Sequence, residues 1–193
     1  SHGIYNTRYL NTYTEEQERF RQEVRAWLEE NVPDEMTLPL DEATLTDEQY
    51  AFARALDKKL APKGWLFPTM PKEYGGGGAD VMHQMIFTEE MAYARAPGRD
   101  GFGIGMIGPS IIVHGTEAQK SEHLGRIARG EVHWCQGYSE PGAGSDLASL
   151  RTKAVRDGDH FVVNGQKVWT SGAHDADFLL TFVRTDPDAP KHK

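Results

Sequence analysis

Two short segments of this chain carry residue types that ordinary turns and strands do not need. The first is Glu140-Pro141-Gly142-Ala143-Gly144-Ser145-Asp146. Pro141 fixes one backbone angle, and Gly142 and Gly144 let the chain approach a ligand closely. Successive free N–H groups in such a turn form an anion-binding concavity, and Ser139 and Ser145 add hydroxyls. The same composition also suits a tight surface turn. The second segment is Gly165-Gln166-Lys167-Val168-Trp169-Thr170-Ser171-Gly172-Ala173. The indole of Trp169 offers a flat face for a planar ring, with the Thr170 and Ser171 hydroxyls beside it. A tryptophan there serves equally well in a core or an interface.

Other arrangements fail on spacing. Gly101-Phe102-Gly103-Ile104-Gly105 follows no strand and lacks the spacing of a dinucleotide fingerprint. Gly75 to Gly78 reads as a flexible loop, because no Gly-Lys-Ser/Thr follows. The eight histidines show no metal-ligand spacing with carboxylates or with Cys135, the single cysteine. Cys135 reads as a small buried hydrophobe. No nucleophile elbow surrounds Ser145.

The elements that must position these residues are legible in outline. Three segments open with a capping box: Thr14 to Gln17, Thr46 to Gln49 and Thr116 to Gln119. The first predicts a helix with Phe20, Val24, Trp27 and Leu28 on one face, ending near Asn31. The second carries Phe52, Leu56 and Leu60 and stops before Pro62. A further helix is expected over residues 79–96, with Val81, Met82, Met85, Ile86 and Met91 inward. Gly101 to His114 reads as a buried helix, and the Thr116 helix ends near Gly130.

After Gly130 the period changes. Val132 to Gly137 reads as a strand. Residues 151–163 read as a hairpin turning at Asp157-Gly158-Asp159, and Gln166 to Thr170 as another strand. Phe178 to Val183 is a continuous apolar run, expected as a central strand buried on both faces. The fold class is therefore α+β: an all-α domain over 1–130, then an antiparallel β domain over 131–193. Residues 185–193 are loop chemistry and nothing follows to cover the apolar run, so the β domain is expected to be incomplete.

Composition narrows the partners. The formal net charge is −8, which argues against a nucleic-acid or anionic-membrane partner. No apolar run approaches the ~20 residues of a membrane span. One cysteine fits a reducing cytoplasm. Ser1-His2-Gly3 reads as a tag remnant or a processed end.

The two segments resemble the signature of one family. Tyr138 to Asp146 and Asn164 to Ser171 are similar to the flavin-binding motifs of the acyl-CoA dehydrogenases. Gly64-Trp65, Pro71 to Gly76, Glu89 to Ala92 and Gly115 to Lys120 fit the same family in the same order. The resemblance implies an N-terminal α domain, a middle β domain and a C-terminal helical bundle that lies beyond this chain. It implies FAD as cofactor and an acyl-CoA thioester as substrate, dehydrogenated between Cα and Cβ to 2-enoyl-CoA. That is the chemistry of fatty-acid β-oxidation.

By this resemblance Gln136, Tyr138, Ser139, Gly144, Ser145, Trp169, Thr170 and Ser171 hold the cofactor. Trp169 stacks on its ring. Ser145 lies where the FAD phosphate and the substrate's pantetheine meet. The family's catalytic base is a glutamate in the C-terminal bundle, so none is assigned here, and Glu140 is expected to accept backbone N–H groups instead. Serines replace the family's frequent threonines at Ser139 and Ser171, and Thr170 its frequent isoleucine. The Trp-Thr-Ser form resembles a bacterial subgroup acting on long or bulky acyl groups. The implied partners are an electron-transfer flavoprotein and further copies in a homo-tetramer or homo-dimer. Two alternatives stand beside this reading. One is a non-catalytic half-subunit that completes a flavin site in a hetero-oligomer. The other is an acyl-CoA oxidase or flavin monooxygenase on the same fold.

Overall fold

Each of the three capping boxes starts a helix. The structure, a computed structural model, describes residues 13–40 and 45–191; the Ser1-His2-Gly3 reading and the final His192-Lys193 lie outside them. Helix α1 (Glu15–Asn31) begins where Thr14 Oγ1 accepts the Gln17 N–H at 3.1 Å and Gln17 returns a bond to the Thr14 N–H at 2.9 Å. Helix α2 (Asp47–Leu60) repeats the device at Thr46. Helix α3 (Val81–Tyr93) starts instead at Asp80, whose carboxylate takes the His83 N–H. By compactness the chain divides between Gly98 and Arg99.

In the unit up to Gly98, α1 packs on α3. Val24, Leu28, Leu56, Leu60, Leu66, Met70, Ile86 and Phe87 are each at most 2% exposed and form its core. Trp65 packs edge-on against Phe20 and Trp27. Two expectations need correction on α3. Val81 and Met85 face solvent at 68% and 39% exposure, while Phe87 and Glu90 turn inward. An apolar composition with little one-sidedness let several helical faces fit. The Gly75–Gly78 segment is not a free loop either. The N–H groups of Gly76, Gly77, Gly78 and Ala79 bond the carbonyls of Pro71, Phe67, Met70 and Pro68.

Glu90 is a buried charge in this core, 3% exposed. Arg25 grips both of its oxygens at 3.0 and 2.8 Å, and Arg21 adds a bond of 2.8 Å. Arg21 also reaches Glu89. Arg25, against the opposing effect of burial and with help from Arg21, holds the Glu90 carboxyl below its ordinary range.

The unit from Arg99 holds two helices and all the strands. A π-helical turn (Gly103–Ile107) leads into α4 (Gly108–His114), and the Thr116 box opens α5 (Glu117–Ala128). The expected helix over 101–114 is continuous, with this π-helical stretch inside it, but it is not buried throughout: Met106 and Val113 are exposed. Strand β1 (Trp134–Gly137) pairs in parallel with β4 (Phe178–Thr181), Trp134 opposite Phe178. The two rings stack at 4.9 Å. Strands β2 (Lys153–Asp157) and β3 (His160–Asn164) form the antiparallel hairpin, turning at Gly158 with φ +61°.

The antiparallel expectation therefore holds for the hairpin and not for β1 and β4. A long connection separates those two, which is what parallel neighbours require. The apolar run at Phe178 is not buried on both faces: Leu179 is 48% and Phe182 45% exposed. Its one sheet neighbour among the described strands is β1. Residues 166–170 form no strand. Among the described residues no helix is long and apolar enough to cross a membrane.

Glu90→Ala should cost roughly 1–3 kcal/mol, because it removes three charge-assisted hydrogen bonds and leaves the largely buried Arg21 with Glu89 as its remaining carboxylate. Removing the exposed Arg19–Glu15 pair by Arg19→Ala should cost under about 0.5 kcal/mol. Urea denaturation of both variants checks the contrast, and equal losses would refute it.

Candidate functional site

The signature segment begins where β1 ends. After Gly137 the chain passes through Tyr138 and Ser139 and closes a tight turn, in which Glu140 and Ala143 exchange backbone hydrogen bonds of 2.9 and 3.1 Å. The turn leaves Gly142 and Gly144 in open space: a side chain added at either would meet nothing within 4 Å.

Glu140 is 8% exposed and fully engaged. It accepts the N–H of Arg151 at 2.6 Å and of Thr152 at 2.9 Å, and an ammonium hydrogen of Lys167 at 3.0 Å. Burial would push this carboxyl up. Hydrogen bonding from Thr152, the Arg151 amide and Lys167 outweighs that and holds it down at about 2. Lys167 is itself largely buried, and its ammonium also donates to the Tyr138 carbonyl at 3.0 Å.

These bonds join the two motifs. The Val168 N–H donates to the Ser139 carbonyl at 2.9 Å. Gly165 lies so close to Thr152 that a side chain there would overlap its Oγ1. Gly137 leaves just enough room for the Lys167 stem, 3.3 Å from where a Cβ would sit. Lys167 was quoted within a motif but given no role from sequence. The available signal was a lysine with a glutamate in the partner motif.

Beyond Val168 the backbone leaves the extended region. Trp169 has φ +59°, a left-handed conformation that costs a bulky residue roughly 1–2 kcal/mol. Its side chain is 89% exposed, so packing in this chain does not repay that cost. This corrects the strand-end placement, since no strand accommodates such a φ. Strained conformations of this kind cluster at ligand sites.

The predicted site residues fall as follows. Gln136 is on β1, half-buried; Tyr138 and Ser139 follow it, half-buried. The Tyr138 ring lies 4.5 Å from that of Phe182. Trp169 and Ser171 are exposed and Thr170 is half-buried. The Lys167 and Val168 bonds bring this group beside Tyr138 and Ser139. Gly144 and Ser145 are exposed further round the turn. Among the described residues no hydrogen bond ties Ser145 to the Trp169 group. The assembly offers an exposed flat indole, several hydroxyls, close-approach glycines and no clustered metal ligands, a donor set suited to a large planar polar ring with an anionic tail. Cys135 is buried, and burial together with Asp100 pushes its thiol up, away from nucleophilic use.

Comparison with known proteins decides the family. The model of the acyl-CoA dehydrogenase N-terminal domain matches residues 14–131, and that of the acyl-CoA dehydrogenase middle domain matches 135–193. The chain belongs to the acyl-CoA dehydrogenase family. Acyl-CoA dehydrogenase FadE26 of Mycobacterium tuberculosis is 44% identical over 188 residues, covering 94% of this chain and 46% of the relative. Among solved structures, the ChsE4-ChsE5 complex from Mycobacterium tuberculosis matches with a TM-score of 0.80 at 44% identity, over 94% of this chain and 46% of that one. The Tcur3481-Tcur3483 steroid ACAD matches with a TM-score of 0.82 at 39% identity, with the same coverage. The chain thus spans about half the length of the acyl-CoA dehydrogenases it matches.

Glu140 supplies a pH prediction. Its carboxyl is lowered from 4.5 to about 2, so its stabilising effect is complete above about pH 4.5 and drains as pH falls toward 2. Glu140→Gln should be less stable than wild type at neutral pH, by on the order of 3 kcal/mol. The gap should close between pH 4.5 and 2 in stepwise urea titrations. A gap independent of pH would contradict the assignment.

Trp169→Gly should leave the fold intact or stabilise it by up to about 1 kcal/mol, through relief of the left-handed strain. The same variant should weaken binding of a planar aromatic cofactor. Thermal melts and a binding titration together test this. A marked loss of stability would mean that the indole serves the core.

Proposed function

We propose that this chain forms the flavin-holding part of an acyl-CoA dehydrogenase that converts an acyl-CoA thioester to its 2-enoyl-CoA. The observation that carries the reading is the joining of the two motifs through Lys167 and Val168, which sets the strained, exposed Trp169 beside Tyr138 and Ser139. The family membership supports it. So do the family models, which meet between residues 131 and 135, close to the domain boundary at 130/131 that this reading adopts.

Bound FAD would supply the two-electron acceptor for the β-hydrogen and its electron pair. The chain's own residues bind and orient. Trp169 would present its face to the ring, with the Thr170 and Ser171 hydroxyls able to bond its polar edge. Gln136 would lie along the flavin, and Tyr138 and Ser139 would supply backbone and hydroxyl contacts to the ring edge. Gly144 and Ser145 would hold the phosphate, with Ser145 also placed to reach the pantetheine of the substrate. The substrate's α-proton passes to a carboxylate that this chain does not assign. Glu140 is unsuited to that task, being buried, fully bonded and already held at about 2. A general base for this step needs a carboxylate with free lone pairs and a raised affinity for protons.

The substrate in this reading carries a bulky acyl group. Support comes from the Trp169-Thr170-Ser171 form and from similarity to the steroid ACAD. Electrons then leave for an electron-transfer flavoprotein in the cytoplasm. The assembly is an oligomer. A homo-tetramer or homo-dimer fits the family resemblance. Similarity to the ChsE4-ChsE5 complex favours a second reading, in which this chain pairs with a different one to complete the site.

Anaerobic visible spectroscopy of the FAD-reconstituted protein tests the proposal. Addition of straight-chain and steroid-bearing acyl-CoAs in turn should bleach the flavin band, most strongly with the bulky thioester. Retained flavin that no thioester bleaches would favour the half-subunit reading. Failure to retain FAD would overturn the proposal. Rapid reoxidation by air would move the activity to the oxidase class.

A further inference from the structure

The Lys167 ammonium does more than join two loops. It sits between two acceptors, the Glu140 carboxylate and the Tyr138 carbonyl, each at 3.0 Å. The Tyr138 carbonyl belongs to the same peptide group as the Ser139 N–H. Among the described residues that N–H has no acceptor, although Ser139 spends its carbonyl on Val168. A cation bonded to a peptide oxygen withdraws electrons from the whole amide, and the N–H on the far side becomes a stronger donor. Both members of the pair are largely buried, at 11% and 6% side-chain exposure, so solvent screens their charges weakly.

We infer that Lys167 and Glu140 are an electrostatic positioning pair that polarises the Tyr138–Ser139 peptide toward the bound ring and tunes how strongly the site favours its reduced over its oxidised form. The inference rests on the FAD reading above. Neither residue is placed in contact with the ring; both act through the peptide and through the field of their charges. In the intact pair the charges oppose one another. Removing one exposes the other, so the two single substitutions push in opposite directions. Loss of Lys167 leaves the Glu140 carboxylate and disfavours negative charge on the ring. Loss of the Glu140 charge leaves the Lys167 ammonium and favours it.

That opposition separates the inference from a purely structural role, in which both substitutions would loosen the loops alike. The experiment is spectroelectrochemical titration of the FAD-loaded protein as wild type, Lys167→Gln, Lys167→Arg, Glu140→Gln and the double variant Lys167→Gln/Glu140→Gln. FAD affinity is measured in parallel. Lys167→Gln is expected to lower the midpoint potential and Glu140→Gln to raise it. Each should shift by about tenfold in the ratio of affinities for reduced and oxidised flavin, about 30 mV for a two-electron couple. Lys167→Arg should stay close to wild type, and the charge-free double variant should fall between the two single variants. Shifts of the same sign in both single variants, or no shift in either, overturn the inference while leaving the flavin assignment standing. If Lys167→Gln does not fold, Glu140→Gln decides: a raised potential supports the inference and an unchanged or lowered one refutes it. A wild-type protein that holds no FAD removes both readings together.

Discussion

A carboxylate taken out of water must be given back its hydrogen bonds, and Glu140 organises the site around that requirement. Its oxygens collect two backbone N–H groups from residues 151 and 152 and the ammonium of Lys167. The two amides fix where the chain enters β2. The ammonium fixes where the second motif passes the end of β1. An apolar residue in this place would leave the two amides without this acceptor, a cost of roughly 1–3 kcal/mol for each, and the lysine with only the Tyr138 carbonyl. The geometry of the turn at Pro141 and of the segment at Trp169 therefore depends on one buried negative charge. Glu90 solves the same problem in the first unit with two arginines. There the partners are long side chains that join helices. Around Glu140 two of the three donors are backbone, which sets loop position more tightly than a flexible side chain can.

Trp169 shows what such a framework permits. A bulky side chain at φ +59° and 89% exposure gains little within the described chain. It persists because its neighbours are already fixed: Val168 by the Ser139 carbonyl, and Ala173 by the Thr170 carbonyl. Strain held in this way is available to a ligand, since a pre-set indole loses little freedom when a ring lands on it. The rigidity belongs to the lysine and glutamate, while the tryptophan presents an exposed ring.

Much of this was legible in the residues. Capping boxes at Thr14, Thr46 and Thr116 marked the helix starts, because that motif is local and its chemistry is complete within four residues. The Asp157-Gly158 turn was readable for the same reason. What failed was long-range. The inward face of α3 depends on what packs against it, and Val81 and Met85 carry no mark of that. The parallel pairing of β1 with β4 joins residues more than forty positions apart in sequence, as in Trp134 with Phe178. The backbone of the Trp169 motif was misjudged: Lys-Val-Trp-Thr has strand composition, yet Trp169 is left-handed in a segment bonded to the other motif. Lys167 went without a role because a lysine on its own reads as solvent-facing, and only its buried partner shows otherwise.

The glycines of the two motifs divide along the same line between what the fold needs and what a ligand needs. Gly165 is required by the protein itself, since a side chain there would overlap Thr152 beside the Glu140 cluster. Gly144 is not: a Cβ in its place meets nothing within 4 Å. A glycine that packing does not demand, without a left-handed backbone, in an exposed turn next to free hydroxyls, has its clearest physical explanation in the close approach of something from outside. The first kind of glycine keeps the two motifs together, and the second leaves room against them. The result is a framework closed on one side and open to solvent on the other.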